Sequence, residues 1–266
     1  MNDVRFERRD GVAELTLSRP ERLNAVTPAL VEELHAALDE LMTDTATRVV
    51  VLTGEGRGFC AGMDIQGGDP GSVESPEGRP QRIYRGIARG GELVARLREI
   101  PQPVIAALHG PVAGMGISLA LACDLRVADP TAKFVFPFLD LGLSGGDLGL
   151  SWLLPRVVGP GKAAEILYRS RTLTAEQADG LGMLTEITPE GADLDGALRL
   201  AGELLAASPY GLRHTKELLN LSLDAPGLRA HLAVENRTQT LAFFTEDFAE
   251  GITARLEKRP PKFQNR

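Results

Sequence analysis

Pro103-Val-Ile-Ala-Ala-Leu-His109-Gly-Pro-Val-Ala-Gly-Met-Gly116-Ile-Ser-Leu-Ala-Leu-Ala-Cys123-Asp-Leu-Arg-Val-Ala128 decides the fold class. Residues 103–108 are continuously apolar, as in a strand covered on both faces. A glycine-rich turn follows, Ile117–Cys123 begins as a helix, and Leu125-Arg-Val-Ala returns to strand character. The same rhythm occurs upstream. Val12-Ala-Glu-Leu-Thr-Leu alternates at period two, Thr27-Pro28 supplies an N-cap and a first-turn proline, and Leu30, Leu34, Leu38 and Leu41 recur at helical spacing. Arg48-Val-Val-Val-Leu-Thr then forms a β-branched strand. Strand-helix-strand units in series predict an α/β core with a mainly parallel sheet. From about Gly161 onward helical signals dominate: Thr174-Ala-Glu-Gln-Ala is a capped start, followed by Leu198–Ala207 and Leu228–Phe244. Gly67–Arg82, rich in glycine, proline and acids and without apolar periodicity, reads as a loop beside the site.

With 266 residues, 43% apolar and 24% charged, the chain can bury a substantial core and lies far from the composition of disordered segments. A formal charge of −7, with Lys and Arg scattered outside Arg255–Lys262, gives no footprint for a polyanion, so nucleic acid is not an expected partner. That basic tail is a solvated helix end or a local spot for a phosphorylated ligand. Cys60 and Cys123 lack metal-site spacing and disulfide density, which fits a reducing compartment. No run reaches the ~18 apolar residues of a membrane span, and Met1–Glu14 has no signal-like apolar stretch. A soluble, cytoplasmic protein without membrane attachment is expected.

Two glycine-rich turns, Gly56-Arg-Gly-Phe-Cys-Ala-Gly-Met-Asp-Ile65 and His109-Gly-Pro-Val-Ala-Gly-Met-Gly-Ile117, each follow a buried strand and can open a helix. Such turns present backbone N–H groups that favour a bound or developing anion. Two of them converging on one carbonyl oxygen would form an oxyanion hole, worth roughly 3–4 kcal/mol per donor. Either turn alone is equally compatible with ordinary tight packing; the pairing favours the chemical reading.

Ser18-Arg-Pro-Glu-Arg-Leu-Asn-Ala25, Gly58-Phe-Cys-Ala-Gly-Met-Asp-Ile65, the His109–Gly116 turn and Ala122-Cys-Asp-Leu125 resemble, in order and spacing, the motif series of the crotonase superfamily, the enoyl-CoA hydratase/isomerase family. Leu153-Leu-Pro-Arg-Val-Val-Gly159, Ala175–Leu184 and Gly251–Phe263 are also similar, so the resemblance spans nearly the whole chain. It implies a crotonase-like spiral of ββα units with a C-terminal helical trimerisation region, residues 1–200 carrying the coenzyme A and active sites and residues 201–266 serving oligomerisation. A homotrimer, or two trimers paired into a hexamer, is implied. The substrate would be an acyl-CoA, with coenzyme A part of the substrate and no cofactor bound permanently. The oxyanion donors fall on the amides of Met63 and Met115. Coenzyme A binding falls on Arg22, Leu23, Ala25, Ala61, Asp64 and Ile65, with Lys258 reaching a neighbouring subunit's ligand. Arg22 can meet a phosphate through a charge-assisted hydrogen bond.

The resemblance departs at the acid-base positions: Ser118 and Phe138 stand where the hydratase of this family has two glutamates. Addition of water needs one group to activate water and another to protonate carbon, so hydration is disfavoured by their absence. Asp147, in Leu141-Gly-Leu-Ser-Gly-Gly-Asp-Leu-Gly149, matches the aspartate that isomerases of the superfamily use as base. One base suffices for a double-bond shift. Burial among Leu143, Leu148, Leu150 and Trp152 would raise its pKa; the plain alternative is a helix N-cap, and Asp140 is a weaker candidate. Enoyl-CoA hydratase is the competing activity, with a thioesterase or a non-catalytic RNA-binding member behind it. Gly142-Leu-Ser-Gly-Gly146 also satisfies the serine-hydrolase elbow pattern, with His214 and His231 as bases, but lacks a proper preceding strand. His109 reads as a structural hydrogen-bonding residue, and no His, Cys and acid cluster suggests a metal. Phe136, Phe138 and Trp152 fit either an apolar acyl pocket or core packing.

Overall fold

The computed structural model describes residues 2–65 and 78–266. Six strands form the main sheet: β1 (Val4–Arg9), β2 (Val12–Leu17), β3 (Val49–Gly54), β4 (Val104–Leu108), β6 (Leu125–Ala128) and β9 (Glu186–Ile187), adjacent in that order. Only the β1–β2 hairpin is antiparallel; the other neighbours run parallel. A smaller sheet joins β5 (Pro111–Ala113), β7 (Lys133–Val135) and β8 (Thr172–Thr174).

Strands β3 and β4 are buried at every position because both faces are covered. Val50, Leu52, Val104, Ala106 and Leu108 face the main core, which also holds Leu30, Leu34, Leu38 and Leu41 of α1 (Pro28–Thr43). Val49, Val51, Ile105 and Ala107 face the opposite layer, where Ala197 and Ala201 of α7 (Asp193–Leu205) lie. Thr27 caps α1 as its sequence suggests, accepting from the Leu30 N–H at 3.1 Å. Thr174 and Gln177 form a full capping box at the start of α6 (Ala175–Gly180).

Helix α2 (Arg79–Glu99) overturns part of the sequence reading: the stretch read as loop through Arg82 is helical from Arg79, and residues 66–77 lie outside the described residues. The helix escaped notice because its buried residues, Gly90, Leu93, Val94 and Leu97, are confined to its second half, leaving the first half without an apolar stripe. Strand β1 carries little sequence signal, because an edge strand with one covered position shows little alternation.

Beyond α3 (Met115–Ala122), α4 (Leu150–Val158) and α5 (Pro160–Tyr168), the chain ends in α8 (Pro209–Ser222), α9 (Leu228–Ala242) and α10 (Glu246–Glu257). Residue 200 falls inside α7, so that helix straddles the division expected between core and C-terminal region. Helix α8 is fastened to the core by Lys216, almost fully buried, whose Nζ donates to the carbonyls of Leu97 and Gln102 at 3.0 and 2.9 Å and meets Asp124 Oδ2 at 3.0 Å. Burial lowers the pKa of this ammonium, and Asp124 opposes that shift. Replacing Lys216 by Met should destabilise the fold by about 3 kcal/mol, because it strands a carboxylate and two carbonyls; urea unfolding of the variant measures it.

Candidate active site

The Ser18–Val26 segment is bolted onto the first glycine turn. Leu23 and Asn24 both adopt left-handed backbone, at φ 49° and 56°. Asn24, fully buried, donates from its side-chain amide to the carbonyls of Glu55 and Gly58 at 2.9 and 2.8 Å and accepts from the Arg19 N–H at 2.8 Å. Sequence reasoning gave Asn24 no role; its signal was residue type, since asparagine tolerates the left-handed region. The Ala61 N–H donates to Leu23, the Val26 N–H to Gly62 and the Asp64 N–H to Val26. Asp64, its side chain 7% exposed, receives Arg22 at 3.0 Å and Arg19 at 3.1 Å.

These contacts bring Arg22, Leu23, Ala25, Ala61, Asp64 and Ile65 into one cluster, with Ile65 exposed at its edge. Lys258, exposed at the left-handed C-cap of α10, takes no part in the contacts that build it among the described residues. Its neighbour Arg259 pairs with Glu250 and Glu257, and Glu250 is held down to about 2 by Arg259 and the Lys262 N–H.

The two glycine turns touch through their backbones. Cys60 bridges to Val112, with the Cys60 N–H donating to Pro111 and the Ala113 N–H to Cys60 at 3.0 and 2.9 Å. Gly62, at φ 91°, strains any side chain by its backbone conformation, and its surroundings are tight: a Cβ would lie 3.1 Å from the Ala113 carbonyl oxygen and 3.6 Å from Gly114 Cα. A Cβ on Gly116 would stand 2.6 Å from the Cys60 carbonyl oxygen. The glycines before Met63 and Met115, Gly62 and Gly114, therefore pack on one another.

In the bridge between Val26 and Met63, Val26 bonds to Gly62 and Asp64, so the Met63 N–H points to the other side. Met115 is the first residue of α3, where a helical N–H has no intrahelical acceptor. Among the described residues neither N–H donates to another backbone group. Met63 is half-exposed and Met115 buried. Both cysteines are sealed in the core, their thiols pushed up to about 12 by burial, and neither is poised as a nucleophile.

Asp147 sits in the irregular segment before α4. Its backbone carbonyl accepts from the Leu150 N–H at 2.8 Å and, weakly, from Ser118 Oγ of α3 at 3.5 Å. Leu148 is left-handed at φ 44° and packs toward α2: a Cβ on Gly90 would meet Leu148 Cδ2 at 3.2 Å and Met115 Cε at 3.5 Å. Leu148 and Met115 thus both pack against α2, while Asp147 is linked to α3 through the contact of its carbonyl with Ser118. Burial raises the Asp147 pKa, opposed by a hydrogen bond from the Leu148 N–H. The apolar surroundings differ from expectation, because Leu143 is exposed while Leu148 and Leu150 are buried. Helix α4 takes Gly149 as its N-cap, without a side-chain cap, so Asp147 does not serve in that way.

Phe136 and Phe138 belong to the hydrophobic core, and Trp152 lies under Arg156 at 3.7 Å. Ser144 occupies an exposed turn where its Oγ accepts from the Gly146 N–H, while His214 and His231 pair with Glu217 and Glu235. No nucleophile elbow forms there. No cluster of metal-ligating residues occurs among the described residues, and no described helix is long and apolar enough to cross a membrane.

Comparison with known proteins gives the family. The model of the enoyl-CoA hydratase/isomerase family matches residues 7–266. The chain is 39% identical over 256 residues to the 1,2-epoxyphenylacetyl-CoA isomerase of Escherichia coli K12, covering 95% of each chain. It is 36% identical over 268 residues to the 2,3-dehydroadipyl-CoA hydratase of the same organism, covering 100% of both. The crystal structure of an enoyl-CoA hydratase from Polaromonas sp. JS666 superposes with a TM-score of 0.90 at 35% identity, covering 98% of this chain and 99% of that one. A mixed α/β fold matching crotonase-fold structures, two apposed glycine turns and family similarity along almost the entire chain lead to one conclusion: this protein belongs to the enoyl-CoA hydratase/isomerase family of the crotonase superfamily and is an enzyme acting on acyl-CoA.

Proposed function

We propose that the protein shifts the double bond of an enoyl-CoA, with Asp147 as the base and the Met63 and Met115 amides as the oxyanion hole. The observation that carries this reading is a half-buried carboxylate with a raised pKa, one residue before Leu148, which packs with Met115 against α2, in a chain where Ser118 and Phe138 offer no second carboxylate. In this reading the thioester oxygen accepts from both amides, and the N-terminal dipole of α3 adds to the stabilisation of the enolate. Asp147 removes a proton from the carbon chain, and the resulting carboxylic acid returns it at a different carbon, so no water is added. The relative named 1,2-epoxyphenylacetyl-CoA isomerase, 39% identical, supports isomerisation of an acyl-CoA in general, its own substrate being an epoxide.

Coenzyme A lies along Arg22, Leu23, Ala25, Ala61, Asp64 and Ile65, where the Asp64 carboxylate holds Arg22 in place, and Lys258 serves the ligand of an adjacent subunit. Residues 1–200 hold these sites apart from Lys258, and residues 201–266 form the oligomerisation region of a cytoplasmic trimer or hexamer. Exposed Leu219, Leu221, Phe243, Phe244 and Leu256 in the C-terminal helices support that assignment, since large apolar side chains grouped on one region favour association.

Ultraviolet absorbance of the conjugated thioester tests the reaction. Absorbance should rise with a 3-enoyl-CoA and should not fall with a 2-trans-enoyl-CoA; loss with the latter would mean hydration and a different acid-base assignment. Asp147→Asn should lower kcat at least ~100-fold with coenzyme A affinity retained; a variant that keeps most of its turnover removes Asp147 from the mechanism.

The pH dependence follows from the direction of the Asp147 shift. Its raised pKa means that ionisation costs more in the folded state than in the unfolded chain, so the acid limb of kcat/KM should fall above the ordinary aspartate value of about 3.9. The same sign makes Asp147→Asn equal to or more stable than the parent at neutral pH, which thermal unfolding checks. Gly116→Ala, which drives a Cβ into the Cys60 carbonyl, should cost about 1–3 kcal/mol of stability and reduce kcat more than it changes KM, as steady-state kinetics would show.

A further inference from the structure

His109, at the end of β4, opens the second glycine turn. Its Nδ1 lies 2.9 Å from Asp193 Oδ2 on α7, and its Nε2 lies 3.2 Å from the Gly56 carbonyl oxygen in the first glycine turn. Both partners only accept. A neutral imidazole has a single N–H and can satisfy one of them, whereas the imidazolium donates to both at once. The ring therefore joins three parts of the fold from behind the site: helix α7, the first turn and the second. The main chain reinforces this, because the Phe59 N–H donates to the His109 carbonyl at 2.8 Å, one residue before the Cys60 bridge that aligns the two turns.

We propose that His109 is a positioning residue for the oxyanion turns, held as an imidazolium between Asp193 and the Gly56 carbonyl, so that loss of its proton releases the first turn. This inference rests on the reading of the Met63 and Met115 amides as the oxyanion donors.

The charges facing the ring are Asp193 from α7 and Asp129 from the segment after β6. Asp129 is held in place by Thr131, by the Gly191 N–H and, through Thr131 Oγ1, by the Gly110 N–H. The Asp193 hydrogen bond raises the His109 pKa most; burial opposes it, and the charges of Asp193 and Asp129 and the Gly56 carbonyl add to the rise. A raised folded-state value means that the clamp's stabilisation is complete below the unfolded-state value of about 6.5 and is lost as pH rises through the folded value. The released turn therefore belongs to the alkaline side, opposite to the acid limb set by Asp147.

The test uses the full-length protein, its His109→Gln variant and its Asp193→Asn variant. Ring titration by nuclear magnetic resonance, with the four histidines assigned through the His109→Gln variant, should show His109 titrating above its ordinary value. Hydrogen exchange of residues 54–63, corrected for the intrinsic pH dependence, should lose protection at that same midpoint. Asp193→Asn should move both midpoints down together, and His109→Gln should leave no midpoint. With a 3-enoyl-CoA as probe, kcat should fall through the midpoint while KM holds. A ring that titrates at or below its ordinary value, or protection or kcat that stays level through its titration, overturns the proposal. Titration and exchange do not depend on turnover, so failure of the isomerase reading, seen as an active Asp147→Asn variant, is distinguishable from failure of this one.

Discussion

Everything at the site depends on a contact between two backbones. The turn that ends in Met63 and the turn that opens α3 at Met115 are pressed together closely enough that Gly62, Gly114 and Gly116 pack against main-chain atoms. A hydrogen-bond donor aimed at a developing charge is effective only if its position is fixed before the charge appears. Side chains on loops would fix it poorly; a bridge between residues 60 and 112, flanked by bonds from Asn24, does so with short, unrotatable parts. In the proposed oxyanion hole methionine can occupy both positions because the amide, rather than the side chain, would provide the donor.

The remainder of the fold holds that contact in register. Strands β3 and β4 deliver the two turns from adjacent, parallel, fully buried positions, so the turns emerge at the same edge of the sheet. Helix α7 closes the opposite face and carries Asp193 to the ring of His109, while α2 closes the other side of the site and packs on Leu148 and Met115. Local backbone strain appears at Leu23, Asn24 and Leu148, each beside a segment that builds the site. Left-handed conformations in leucine persist only where the surroundings dictate them. Here the surroundings are the Ala61–Leu23 hydrogen bond and the packing of Leu148 toward Gly90.

Family membership and reaction are separable questions for this chain. The chain is similar to relatives named for an isomerisation and for a hydration alike, so family membership defines acyl-CoA chemistry without selecting the outcome. In the proposed mechanism the group beside the enolate selects, and the groups offered for it are the carboxylate of Asp147 and the hydroxyl of Ser118, whose Oγ meets the Asp147 carbonyl at 3.5 Å.

The sequence by itself determined the alternating strand-helix core, the caps at Thr27 and Thr174 and the pairing of two glycine turns. These are set by local periodicity and by residue types with few alternatives, such as proline at a helix start or glycine at positive φ. Only the tertiary structure decided the rest. Helix α2 stayed hidden because half of it has no apolar face, and Asn24 showed its role only when the carbonyls of Glu55 and Gly58 came within reach. The exposure of Leu143, the core positions of Phe136 and Phe138 and the meeting of His109 with Asp193, 84 residues away, likewise follow from packing. Which side chains meet across such separations is fixed by how sheets and helices stack, and no short window of sequence contains that information.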